Sequence, residues 1–355
     1  MSDVNRAIDW PTLLIQPHDA ETQQYLEKLG FQSVPPVPQL QYLKLPKQEL
    51  ADLFLKLSDE LSETAQSVSR FFITHLSLNS PELLVEFLQA QPLSCVTHCV
   101  RQAWFLRLLV RGSIFFEYQP IFHLASGELV AYECLARSRG DRGEYFSGGQ
   151  LIEAAVTTQL SRQFDELARQ ICLDSIAQKN THHNFFINIL PNAIVANPQS
   201  IADNLQQILE LGLKPERIVF ELTEVEVLAK SDELSQLIHQ IRDWGFGIAV
   251  DDLCGSVCVD HYAMEFRPDV VKLDRRLVDG CSQYTLKQTL IKSLLESAHQ
   301  EGILVLAEGL EQQADIDFCR ELGVDFAQGF GLGRPSPNLL QQPLELIPFP
   351  LSKAS

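Results

Sequence analysis

The sequence predicts an α/β chain: a (β/α)8 TIM-like barrel with an antiparallel first strand, preceded by a small, mainly helical N-terminal region. Three observations predict it. From residue 114 short apolar runs alternate with helical stretches, the pattern of a parallel sheet with crossover helices. Eight such units fill about 230 residues, a length that suits a closed barrel better than an open doubly wound sheet. The first connection, HLASGEL, is as short as a hairpin's, so the first strand should run against the second.

The N-terminal region, residues 1–112, differs in texture. QSVPPVPQLQYLKLPKQ (32–48) is punctuated by proline and reads as extended. QELADLFLKLSDELSETAQSVSRFFITHLSL then spaces its apolar residues by three and four, a helical pattern. SPELLVEFLQAQ (80–91) opens with Ser80 as N-cap, Pro81 at the first helical position and Glu82 next, a sound helix start. CVRQAWFLRLLVRG reads as another amphipathic helix. In CVTHC, Cys95, His98 and Cys99 are metal-capable but lack a second cluster, so a helix-core role is expected. No catalytic constellation is found here, and the region reads as a regulatory or sensory module of unknown ligand.

The barrel domain, residues 113–345, follows. Strands are expected at 114–122, 129–136, 184–190, 217–223, 247–252, 269–274, 303–309 and 325–330. Helical patterns lie between most of them, such as SDELSQLIHQIRDWG and TLKQTLIKSLLESAHQEG, the latter ending on a capping glycine.

Composition narrows the function. With 45% apolar and 21% charged residues the chain is of the soluble globular kind. Lys and Arg total 28 against 46 Asp and Glu, a net charge of −18, which repels nucleic acid and anionic membrane. The start lacks a basic stretch followed by an apolar one, and no window approaches the ~18 apolar residues of a spanning helix. A cytoplasmic protein without membrane insertion or nucleic-acid partner is expected. The 8 cysteines are scattered and form no CxxC pair, as in a reduced chain.

Barrel active sites gather at the C-terminal ends of the strands. Those ends read Glu133, Asn188, Glu221, Asp251 with Asp252, Lys272, Glu308 and Gln328. One strand-terminal carboxylate is commonly a helix cap or a solvated loop residue, but a ring of polar groups in one topological position converges on a point. The carboxylates and the Asn188 amide oxygen form a hard-oxygen set suited to Mg2+, Mn2+ or Ca2+. The adjacent Asp251 and Asp252 can face two ions some ~3.5–4 Å apart. Lys272, inside VVKLD, needs those carboxylates as partners and can hold an attacking water. Glu221, at the end of a buried-looking strand, is tolerable as a metal ligand, with Thr223 on the same face two residues on. A retaining glycosidase using Glu221 and Glu308 is the weaker alternative, since the paired Asp and Lys272 have no place in that chemistry.

The motifs carrying these residues resemble one family. YQPIFHLASGELVAYECLAR, FFINILP, IVFELTE, GFGIAVDD, PDVVKLDRRLV, LAEGLE and GVDFAQGFGLGRP are similar, in order and spacing, to the EAL domain, the cyclic di-GMP-specific phosphodiesterase. The resemblance implies hydrolysis of cyclic di-GMP to linear 5′-pGpG with Mg2+ or Mn2+, two ions in number, and a homodimer through the barrel. It implies metal ligands at Glu133, Asn188, Glu221, Asp251 and Asp252, and catalytic roles for Lys272, Glu308, Glu311 and Gln328. It further implies substrate contacts from Arg137 and Gln119, and a loop-anchoring role for Glu224. The chain departs from the family after Asp252, where DLCGSVCVD replaces roughly Asp-Phe-Gly-Thr-Gly-Tyr-Ser-Ser. The alternative is therefore a catalytically impaired domain that serves as a cyclic di-GMP receptor or protein-interaction module. Cys254 and Cys258 on that loop also raise a redox switch, against the plainer role of filling space.

Overall fold

The computed structural model describes residues 10–35, 37–140, 143–179, 181–223, 232–253 and 267–340. The chain divides into two compact units, Met1–Arg107 and Leu108–Ser355.

In the first unit β1 (Thr12–Gln16), β2 (Gln32–Val34), β3 (Val37–Lys44), β4 (Arg70–Thr74) and β5 (Gln91–Pro92) form a five-stranded sheet ordered β2-β3-β1-β4-β5. Every pairing is antiparallel. The helix Ala20–Lys28 connects β1 to β2, and the helices Leu50–Glu60 and Glu63–Val68 connect β3 to β4. The order is thus the split β-α-β-β-α-β arrangement. The expected helices are present, and the Ser80 hydroxyl accepts from the Glu82 amide (3.3 Å) at the start of Glu82–Phe87. The sheet itself was not expected, and the helical reading through SRFFITHL gives way to β4. The reason lies in β1, which is covered on both faces. Leu13 and Ile15 join one cluster with Leu26, Leu53, Phe54 and Leu57, while Leu14 joins another with Val34, Leu40 and Leu83. A strand buried on both faces shows no alternation to read. CVTHC does lie on a helix, Leu93–Arg101, but Cys95 and Cys99 are exposed, and Leu93 and Thr97 face inward instead.

The second unit is the barrel. Its strands are β6 (Ile114–His123), β7 (Leu129–Arg139), β9 (Asn184–Ile189), β10 (Ile218–Leu222), β11 (Gly247–Leu253), β12 (Val270–Leu273), β13 (Leu304–Ala307) and β14 (Phe326–Ala327), with the short β8 (Tyr145–Phe146) beside β7. The sheet runs β6-β14-β13-β12-β11-β10-β9-β7, and β6 pairs with β7 to close it. As expected, β6 is antiparallel to both its neighbours, β7 and β14, while the pairs from β7 to β9 and onward to β14 are parallel. Every strand expected from the sequence is present. Among the described residues no helix is long and apolar enough to cross a membrane.

Candidate active site

A simple layering rule builds the site. Each barrel strand contributes a buried apolar side chain to one inner cluster: Ile121, Ala131, Phe186, Val219, Ala249, Val270, Leu306 and Phe326. Side chains alternate along a strand, so the residue two positions nearer the mouth shares the inward face. On β7 and the strands parallel to it, two residues further on are Glu133, Asn188, Glu221, Asp251, Lys272, Glu308 and Gln328. On β6, which runs the other way, two residues back is Gln119. One polar layer therefore sits on one apolar layer, with every strand giving a member to each. Register agrees: Gln119 stands opposite Glu133, and Asn188 beside Glu221.

Lys272 is the centre. Its Nζ lies 2.5 Å from Glu221 Oε1, 2.5 Å from Glu308 Oε1, 3.5 Å from Asp251 Oδ1 and 3.7 Å from Glu133 Oε2. Glu133 is held from both sides, accepting from Asn188 Nδ2 (3.2 Å) and Gln328 Nε2 (2.5 Å). Asp251 stands where β11 shifts register against β12 between Val250 and Leu253. Such a bulge bends the strand end and re-aims its side chains. Asp252 lies on the same bulge by its backbone; its side chain is outside the described residues, as are Glu224, Cys254, Val257 and Cys258.

The charges do not balance. Lys272 is 1% exposed and Glu221 0%. Burial pushes the Glu221 carboxyl well above the usual range, Lys272 opposes this, and Glu133, Asp251 and Glu308 add to it. Burial alone would lower Lys272, but Asp251, Glu133, Glu221 and Glu308 together hold its ammonium well above the ordinary lysine value. Glu308, whose side chain keeps 19% exposure, is raised to about 8 by burial, against the pull of Lys272. Four carboxyl groups share one ammonium in a place with little water, so they cannot all ionise unless a further cation joins them. Among the described residues, two buried oxygens of the site, Glu221 Oε2 and Gln328 Oε1, have no hydrogen-bond partner. Orphaned buried acceptors of this kind call for a cation or water. The donor set is all oxygen and fits a hard divalent ion. Among the described residues no three His, Cys, Asp or Glu side chains already close around a single point; the ammonium holds that position.

Two cavities meet at Glu133. The larger, about 350 Å³, is bordered by Arg137, Gly148, Asn188, Thr223 and Asp251 among others. The smaller, about 220 Å³, is bordered by Gln119, Arg275, Glu308, Glu311, Gln328 and Phe330 among others. Gln119 is 8% exposed and donates to the Gly333 carbonyl (3.4 Å). Glu311 pairs with Arg275 (2.9 Å), and Arg137 with Glu117 (3.0 Å). Gly329 lets the turns carrying Glu311 and Gln328 touch through their backbones: a Cβ there would fall 2.1 Å from the Leu310 carbonyl oxygen. All the strand-end residues singled out from sequence and lying within the described side chains are thus brought together. Sequence reasoning missed Arg275 and Glu117. Arg275 is the third residue after Lys272, and Glu117 shares the face of Gln119 two residues away. Strand alternation alone pointed to Glu117.

Comparison with known proteins agrees with this geometry. The EAL domain matches residues 102–335, well over half the chain. The cyclic di-GMP phosphodiesterase PdeB of Shewanella oneidensis is 28% identical over 243 residues, which are 66% of this chain and 28% of that protein. The chain spans less than a third of the length of the first curated relatives it matches, 28%, 31% and 28%. Among solved structures, a standalone EAL protein from Vibrio cholerae O395 in its c-di-GMP-bound form is 26% identical, with a TM-score of 0.57 over 64% of this chain and 94% of that one. The Xanthomonas citri FimX EAL domain in complex with c-diGMP, 21% identical, superposes with a TM-score of 0.62 over 68% of this chain and 96% of that one, a likeness of fold. The chain belongs to the EAL domain family.

Proposed function

We propose that the chain hydrolyses cyclic di-GMP to linear 5′-pGpG, as a metal-dependent phosphodiesterase of bacterial second-messenger signalling. The carrying observation is the buried Lys272 ammonium, 2.5 Å from both Glu221 and Glu308, inside a ring of further carboxylates at the barrel mouth. Glu133, Asn188, Glu221, Asp251 and Asp252 would hold Mg2+ or Mn2+, two ions in number. Bound there, such ions supply Lewis acidity toward a phosphoryl oxygen and make water more acidic.

The chain's own groups do the rest. Lys272 has three donors and spends two on Glu221 and Glu308, which leaves one N–H to orient the attacking water in line with the phosphorus. Glu308, 2.5 Å from the Lys272 Nζ, helps fix that ammonium beside the water. Gln328 fixes Glu133 through a 2.5 Å hydrogen bond. Arg137 and Gln119 meet the substrate, Glu311 serves beside Glu308, and Glu224 anchors the loop after Asp252. The reading includes a cytoplasmic location, a homodimer through the barrel, and an N-terminal region, 1–112, that regulates the domain at 113–345.

The test is incubation with cyclic di-GMP and Mg2+ or Mn2+, followed by chromatography. Formation of pGpG is the expected result. Calorimetric binding without product in either metal selects the second reading, a receptor or interaction module. That reading is favoured by DLCGSVCVD alone.

A further inference from the structure

Glu117 lies two residues before Gln119 on β6 and faces the same way, so it stands one step higher at the mouth. Arg137 lies four residues beyond Glu133 on β7 and shares that face. The register sets Glu117 opposite Leu135 and Phe115 opposite Arg137, which makes Glu117 and Arg137 diagonal neighbours. Glu117 Oε2 accepts from Arg137 Nε (3.0 Å) and from the Tyr145 hydroxyl (2.9 Å). Arg137 Nη1 donates to the Ala136 carbonyl (3.0 Å). The arginine and glutamate side chains keep only 12% and 18% exposure. Tyr145 is fixed on β8, which pairs with β7 at Arg139. Gly148 borders the larger cavity beside Arg137.

We infer that Glu117 and Tyr145 are positioning residues, which hold the Arg137 guanidinium ready for a substrate phosphate. The inference rests on the function proposed above and adds to it. A free arginine samples many rotamers, and fastening it along the Nε edge and at Nη1 removes that freedom before the ligand arrives. The pair is not needed to join β6 to β7, because those strands already share a backbone ladder from Ile114 to Phe122. A carboxylate at the mouth also costs affinity for an anion unless its charge is spent on a partner. Arg137 is that partner.

The test is calorimetry of the full chain with cyclic di-GMP in Ca2+, on Glu117→Gln, Tyr145→Phe, Arg137→Ala and the Glu117→Gln/Arg137→Ala double variant. Glu117→Gln should weaken binding about fivefold and Tyr145→Phe about twofold. Once Arg137 is gone, Glu117→Gln should add no further loss. In Mn2+ turnover, the penalty of Glu117→Gln should fall more on KM than on kcat. Tighter or unchanged binding by Glu117→Gln, or an equal loss in the Arg137→Ala background, overturns the inference while leaving the proposed function intact. Failure of the unmodified chain to bind cyclic di-GMP overturns both.

Discussion

Two buried cations in the barrel unit live in opposite circumstances. Arg169, 1% exposed, pairs with Asp165, and donates to Asn204 Oδ1 (2.8 Å) and to the Ser200 hydroxyl (2.8 Å). Asp165 accepts in turn from the Leu190 amide (2.9 Å), two residues after Asn188. One positive charge meets one negative charge, and the network closes. Lys272, also 1% exposed, faces four carboxylates, and Glu221 Oε2 beside it has no partner among the described residues. A balanced buried network serves architecture, whereas an unbalanced one marks a place where a ligand or ion completes the charge.

That contrast can be broken by substitution. The largest effect is expected for Lys272→Ala, which should cut pGpG formation by roughly 10²–10⁴-fold, with circular dichroism showing a folded barrel. Turnover near the unmodified level would remove Lys272 from the chemistry and dissolve the contrast. Arg169→Met should act on stability instead. It strands Asp165 in the interior at a cost of roughly 3–5 kcal/mol, read by urea denaturation. Pairing it with Asp165→Asn should recover part of that loss, since no lone charge is left buried.

A smaller effect is expected from Gly329→Ala. The new Cβ must displace the Leu310 backbone, at a cost of about 1–3 kcal/mol, and it pulls Gln328 from Glu133. Thermal melting and product assay together should show both losses. An unshifted melting temperature would mean the two turns do not touch as described.

The smallest effect is on pH dependence. The Glu308 carboxyl is raised from 4.5 to about 8, and Glu221 moves the same way. The folded chain thus binds protons that the unfolded chain releases. This stabilisation is complete below the unfolded value and fades as pH climbs through the folded one. In chelator the melting temperature should fall by a few degrees between roughly pH 5 and pH 8. Added Mn2+ should shrink that slope, because a cation replaces the proton as the partner of the carboxylates. A slope of the opposite sign in chelator would show that the cluster is already balanced.

Much of this was legible beforehand, and particular residues show why. The barrel strands could be found because each is a short apolar run ending in a polar residue, and Glu133, Asn188, Glu221, Asp251, Lys272, Glu308 and Gln328 are those endings. By contrast, β1 escaped notice because Leu13, Leu14 and Ile15 are all buried, on two faces at once. Arg275 and Glu117 escaped because a lone charge beside a strand looks like any solvated residue until its partner is found across the chain.

The sequence by itself determined the repeating strand and helix order, the reversed first strand, and the identity of the polar layer. Those depend on patterns within a few residues, where side-chain alternation and turn length act locally. Tertiary structure alone decided how closely Lys272 is held, 2.5 Å from both Glu221 and Glu308 with Asp251 and Glu133 a little further off, and that Glu117 fastens Arg137. Distances between residues far apart in the chain are set by closure of the barrel, and with them the imbalance of charge at its mouth.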